Sequence, residues 1–324
     1  MKIAAALLWM AGLALLIGLV AYQGFTDVGS ALAEAGWGIL AVTACYPFGL
    51  LTDTIGWRLL LPAGVRPRLR AMLGPRWICD AVNFLLPAAQ LGGDLVRARL
   101  LAWRGIPASQ VGASVVVDIV TGVATEILFA LLGVFFLIRY EGFSRTTMVV
   151  AASMLLFIVL VATFFLMQHF GLFRRVTRLA SSLVRVGNWD ALIGNAAALD
   201  DAITATYRRR RELFHSSLWR LLGWFLGVVE VWLALHFLGH PVGVGQAVML
   251  ESLGQAIRHA FFVVPGALGV QEAGFILLGT VVGIRPEIGL SISLIKRVRE
   301  ILIGLPALLL WQLQEGRRLI RRKN

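Results

Sequence analysis

Charge is what this sequence has least of. Among its 324 residues, 15% are Asp, Glu, Lys or Arg and 58% are hydrophobic, where a soluble domain carries about 25% charged residues. That balance argues against a soluble enzyme. Cysteine is nearly absent too: Cys45 and Cys79 each sit in an apolar stretch, with no CxxC and no metal-ligand spacing, so they read as small core-filling residues. No segment is long and polar enough to form a basic nucleic-acid-binding domain, and no nucleic-acid partner is expected. No nucleophile elbow, P-loop, GxGxxG following a strand, zincin or EF-hand pattern occurs. No catalytic residue, metal site or cofactor is therefore assigned, although scattered acids and bases could still serve a membrane-embedded transferase.

What is present is apolar length. The runs Ile3–Ala21, Trp37–Leu61, Val111–Ile138, Met148–His169, Leu218–Leu238 and Ile288–Gln312 reach the roughly 20 residues that cross a hydrocarbon core. The first is too long for a signal-peptide core and lacks a small-x-small cleavage site, so it reads as a retained helix. The 30 Lys+Arg outnumber the 18 Asp+Glu, giving a formal charge of +12. Nearly all the bases are arginine, and their distribution orients the chain. The 22–36 loop has none and is expected outside. Arg66, Arg68, Arg70 and Arg76 place the next loop inside, and Arg317, Arg318, Arg321, Arg322 and Lys323 place the tail inside.

Two further apolar stretches, 69–101 and 246–283, are interrupted by proline and glycine. Both ends of the first are basic, and Pro87, Gly92 and Gly93 fall in mid-run, where a continuous helix would lose hydrogen bonds. A helical hairpin entering and leaving on the cytoplasmic side satisfies both facts; the alternative is an ordinary kinked helix. Leu86-Pro87-Ala88-Ala89-Gln90-Leu91-Gly92-Gly93-Asp94 resembles Val264-Pro265-Gly266-Ala267-Leu268-Gly269-Val270-Gln271-Glu272. The fold class that follows is an all-α polytopic membrane protein. It has about six full transmembrane helices and two re-entrant or broken hairpins in an inverted repeat, with both termini cytoplasmic. The whole chain, 1–324, is expected to be one integral membrane domain: repeat unit 1 at about 37–138, a cytoplasmic amphipathic linker at about 170–217, and repeat unit 2 at about 218–313. Phe173, Val176, Leu179 and Leu183 mark the apolar face of that linker among its arginines. Paired Pro/Gly-interrupted segments are the best sequence pointer to a transporter's binding site.

Ionisable residues near mid-membrane cost roughly 2.5–3.5 kcal/mol each on insertion scales, so they face the bundle interior. Asp53, Asp80, Asp94, Asp118, Glu126, Glu230, Glu251, Arg258, Glu272, Lys296, Arg297, Arg299 and Glu300 are of this kind. Asp118 and Glu126 lie about two turns apart on one helix face, and the repeat suggests Arg297 and Arg299 as their partners. Lys296 and Glu300 have salt-bridge spacing. Such pairs either fix helix register or meet an anionic headgroup and relay protons; the residue pattern allows both. Glu251, Gln255 and His259 form a polar stripe that could line a cavity, and it lacks the third strong ligand a metal would need.

The two interrupted motifs, the acidic helix at Asp118 and Glu126, and the basic last helix at Arg297 together resemble the flippase-like transmembrane domain of lysyl-phosphatidylglycerol synthases. Stand-alone relatives of that domain include a group associated with hopanoid biosynthesis. The resemblance implies a lipid flippase of the cytoplasmic (inner) membrane that moves a phospholipid or terpenoid lipid between leaflets. Membrane lipids are the expected partners, anionic or terpenoid, with lipid-biosynthesis enzymes as further candidates. Pro87, Gly92, Gly93, Pro265, Gly266 and Gly269 would shape the breaks. Asp94, Arg97, Gln271 and Glu272 would gate or bind the headgroup, beside the charge network of Asp118, Glu126, Arg297, Arg299 and Glu300. The full synthases carry a soluble aminoacyltransferase domain after this region; the sequence stops at Asn324, so that activity is not expected. Gly93-Asp94 stands where Gly-Glu is more usual, making that carboxylate one methylene shorter. A lipid-modifying enzyme and a non-catalytic scaffold remain the rival readings.

Overall fold

The computed structural model describes residues 33, 35–86, 92–145, 147–149, 152, 189–261 and 264–323. The expected helix at Ile3–Ala21, most of that at Met148–His169, the linker face Phe173–Leu183, and Pro87 lie outside the described residues. Nine α-helices occur among the described residues, with no strand: α1 (Gly38–Leu60), α2 (Leu69–Leu85), α3 (Gly92–Ala102), α4 (Ala108–Glu141), α5 (Trp189–Arg208), α6 (Arg210–Phe237), α7 (Val244–Ala260), α8 (Val270–Val281) and α9 (Pro286–Lys323). Short 3-10 turns at Ala63–Val65 and Pro265–Ala267 complete the set.

Three of these helices, α1, α4 and α6, are long and apolar enough to cross a membrane. Helix α9 has the length, 38 residues, but carries Lys296, Arg297, Arg299 and Glu300 in its middle. The arms α2, α3, α7 and α8 are 17, 11, 17 and 12 residues long. At 1.5 Å per residue none exceeds about 26 Å, short of the roughly 30 Å core. Outward rows of large apolar side chains stay exposed at helical spacing: Leu218, Leu222, Phe225 and Val229 on α6, and Leu302, Leu305, Leu309 and Leu313 on α9. Such continuous greasy faces belong against lipid tails. This is a helical membrane protein.

The two interrupted stretches are helical hairpins. In the first, the Gly93 N–H donates to Asn83 Oδ1 while Arg104 donates to the Ala71 carbonyl, so α2 and α3 run antiparallel. In the second, Arg258 meets Gln271 and Gly254 packs beside the Phe275 ring, so α7 and α8 do the same. Helices α1 and α6 cross antiparallel, with Gly38 against Phe237 and Gly56 against Ser216; small residues permit that approach.

The neighbours repeat when α1–α4 are exchanged for α6–α9. Helix α4 packs on α7 as α9 packs on α2, α1 on α2 as α6 on α7, and α3 on α4 as α8 on α9. Each long last helix therefore covers the other set's hairpin. The main apolar core joins Val42, Leu137, Leu235, Leu250, Phe275 and Ile292 from six helices. A smaller core joins Trp57, Leu61, Met72, Leu101 and Val115. Helix α5 lies along α4 through Ile203 and Leu199 beside Val117. Helix α6 starts at Arg210, within the stretch expected to be linker. The C-terminal carbonyls of α1 are covered by Arg66 and Arg209, which donate to the oxygens of Leu59, Leu60 and Leu61. Cations there complement the helix dipole.

Candidate functional site

Buried charge collects in two places, one under each hairpin. Under the first, Arg76 of α2 lies 2.7 Å from Asp53, 3.3 Å from Asp80 and 3.2 Å from Asp118. Arg97 of α3 lies 2.6 Å from both Asp94 and Asp118, with its guanidinium over the Trp57 ring. Arg220 reaches across from α6 to Asp53 at 2.8 Å and Asp118 at 3.4 Å. Asp118, 0% exposed, thus takes three guanidiniums on Oδ2 while Oδ1 has no hydrogen-bond partner. Tyr46 donates its hydroxyl to Asp80 at 2.8 Å, and its ring lies beneath Arg299, linking the first cluster to the second.

Under the second hairpin, Arg297 of α9 donates through Nε to Glu272 at 2.9 Å and through Nη1 to Glu300 at 3.1 Å. Arg258 of α7 donates to Gln271 at 2.8 Å and to Glu300 at 2.5 Å. Arg299 is paired with Glu230, and Lys296 with Glu251; Gln255 donates to the other oxygen of Glu251 at 2.8 Å. Four atoms of this network are buried without a hydrogen-bond partner: Arg299 Nε and, nearer the break, Arg297 Nη2, Gln271 Nε2 and Glu272 Oε2. Gln271 and Glu272 are 1% and 0% exposed. Buried polar groups are rarely left unsatisfied, and two donors with one acceptor at a helix start suit an anionic or hydroxyl-bearing group.

The second break lies against the last turn of α2. Gly266 (φ 61°), Ala267 (φ 48°) and Gly269 (φ 78°) carry the second through left-handed backbone. A Cβ at Gly266 would stand 3.2 Å from the Phe84 carbonyl oxygen, in the last turn of α2, and 3.5 Å from Arg297 Nη1. Arg258 also lies over the Phe84 ring. The chain at the end of α2 leads directly into the first break. Gly92 opens α3, and Gly93 is required there by packing: a Cβ would fall on the Cys79 carbonyl oxygen.

Several sequence expectations need correction. Asp118 and Glu126 do not pair with Arg297 and Arg299. Asp118 holds Arg76, Arg97 and Arg220, while Glu126 meets His259 at 2.6 Å. The reason lies in the packing, which sets α4 on α7 and α9 on α2. Lys296 likewise turns to Glu251, leaving Glu300 to Arg258 and Arg297. Arg76, expected in a cytoplasmic loop, is buried in α2. Arg220 and Tyr46 were not anticipated; an arginine inside the apolar run Leu218–Leu238 was the available signal for Arg220.

The sequence profile of the lysylphosphatidylglycerol synthase TM region matches residues 9–307. The chain belongs to this family. A similar protein is the UPF0104 membrane protein PH1989 of Pyrococcus horikoshii, 21% identical over 276 residues, which are 80% of this chain and 82% of the relative. No solved structure matches. Both clusters and both breaks fall within the family region, and PH1989 is likewise a membrane protein by its name.

Proposed function

We propose that the protein carries an amphipathic lipid between the leaflets of the cytoplasmic membrane, with the headgroup passing the paired breaks. The observation that carries this reading is the second break, which lies against the last turn of α2, beside Arg297 Nη2, Gln271 Nε2 and Glu272 Oε2, buried polar atoms without a hydrogen-bond partner. Irregular backbone at membrane depth persists where it faces protein or a wet cavity. Arms too short to span, folded back on themselves, fit hairpins that enter from one side and return. Opposite entry of the two hairpins follows from the basic loops, and cytoplasmic termini follow from the basic tail.

In this role Arg297 and Gln271 hold an anionic headgroup, and Asp94 and Glu272 compete with it for Arg97 and Arg297. Passage would rock one four-helix set against the other. Lipids of the phospholipid or terpenoid type both fit, and enzymes of lipid synthesis are the natural neighbours. The test is reconstitution of purified protein into vesicles holding a fluorescent phospholipid in one leaflet, followed by chemical quenching from outside. Faster leaflet exchange with lipid of unchanged mass supports transport. Lipid of altered mass supports the transferase reading instead.

A further inference from the structure

One titratable pair stands apart from both clusters and joins the two four-helix sets. His259 Nδ1 lies 2.6 Å from Glu126 Oε1. His259 is the penultimate residue of α7, where the arm runs into the second break, and Glu126 sits in the middle of α4. Glu126 is buried, whereas the His259 side chain is 34% exposed. Trp224 of α6 stands edge-on to the imidazole at 6.0 Å and donates its Nε1–H to Thr125 on α4.

The charged groups on α6, α7, α8 and α9 nearest the pair are engaged elsewhere, as are Asp53 of α1 and Asp94 and Arg97 of α3. On α7, Arg258 turns to Gln271 and Glu300, and Glu251 holds Lys296. On α6, Arg220 is held by Asp53 and Asp118, and Glu230 by Arg299. On α8, Glu272 is on Arg297, and on α9, Arg299 and Glu300 complete the second cluster. Arginine–carboxylate pairs keep their charge across the physiological range, whereas histidine is the side chain that changes charge there. A charged imidazolium–carboxylate pair holds tighter than a neutral one.

We propose that Glu126 and His259 form a proton-binding site that couples lipid passage to pH, latching the end of α7 to α4 when protonated and freeing the second hairpin when not. The inference rests on the lipid-transport reading. Tryptophan emission of purified protein in vesicles, with W224F as the subtraction control, reads the imidazole charge without any lipid movement, because imidazolium quenches a neighbouring indole. Emission from Trp224 rises as the pH is raised in the native protein and stays flat in H259Q. Leaflet exchange accelerates about threefold or more with the same rise in pH. In H259Q, which keeps a hydrogen bond without the charge, exchange at low pH matches the native high-pH rate. H259N serves where H259Q does not accumulate.

An unchanging Trp224 emission in native protein overturns the proton site whatever the lipid does. An emission step without any leaflet exchange overturns the transport reading and the coupling with it. A native pH slope retained in H259Q overturns the latch alone.

Discussion

The two buried clusters use different acids. The first is built on the aspartates Asp53, Asp80, Asp94 and Asp118, and the second on the glutamates Glu230, Glu251, Glu272 and Glu300. Their polarity is also reversed between hairpin and last helix. In the first set the arm supplies the cation, Arg97, and α4 the acid, Asp118. In the second the arm supplies the acid, Glu272, and α9 the cation, Arg297. Three guanidiniums converge on one short, fully buried carboxylate in the first cluster, one of them from the opposite set. The second spreads its cations over longer carboxylates, and each cluster keeps buried polar atoms without a hydrogen-bond partner: Arg76 Nε, Arg220 Nε and Asp118 Oδ1 in the first, and Arg297 Nη2, Arg299 Nε, Gln271 Nε2 and Glu272 Oε2 in the second. The first cluster, with Arg220 reaching Asp53 and Asp118 from the opposite set, is a strut between the sets, and the second lies at the Pro265–Gly269 break.

Substitutions can break that contrast. The largest effect belongs to Asp118→Asn, which leaves three buried guanidiniums short of a carboxylate. Removing one member of a buried ion pair costs about 3–5 kcal/mol, so D118N loses folded, monodisperse protein in detergent by size-exclusion and thermal unfolding. Normal unfolding behaviour in D118N would remove the strut. Gly93→Ala comes next, since its methyl group meets the Cys79 carbonyl; overpacking of this kind costs about 1–3 kcal/mol, read as a lowered unfolding temperature. Gln271→Leu is expected to fold normally yet slow leaflet exchange by about tenfold, the worth of one hydrogen bond to a charged group. Equal exchange in Q271L would take Gln271 out of the lipid path. The smallest effect is at Arg99 and Glu315, 2.7 Å apart but exposed; a double-mutant cycle there should give less than about 1 kcal/mol.

Much of this was legible in the sequence, and the physics says which part. Expected helices at 37–61, 111–138 and 218–238 appear as α1, α4 and α6, because apolar length is a local property. The interruptions near Gly92 and at Pro265–Gly269 were readable for the same reason, since proline and glycine disrupt a helix wherever they stand. Charge partners were not. Asp118 could be placed on a face beside Gly122 from spacing, but its three guanidiniums come from 42, 21 and 102 residues away along the chain. Equivalent positions in a repeat need not touch: Arg297 meets Glu272 of its own hairpin, and α4 lies on the opposite hairpin, which brings Glu126 to His259. The burial of Arg76 was hidden by its company: it follows three basic loop residues, and only its i,i+4 spacing to Asp80 marked it as different.

In the proposed lipid path, Arg297, held at rest by Glu272 and Glu300, is the cation that a headgroup takes over. The most direct measurement compares leaflet exchange of a fluorescent phospholipid in vesicles containing native protein, R297A or no protein, at matched incorporation and with thermal unfolding of both proteins recorded. Fast exchange is expected with native protein and exchange near the protein-free rate with the folded fraction of R297A, whose unfolding temperature is lowered by the loss of a buried partner of Glu272 and Glu300. A folded R297A that moves lipid as fast as the native protein would contradict this role of Arg297.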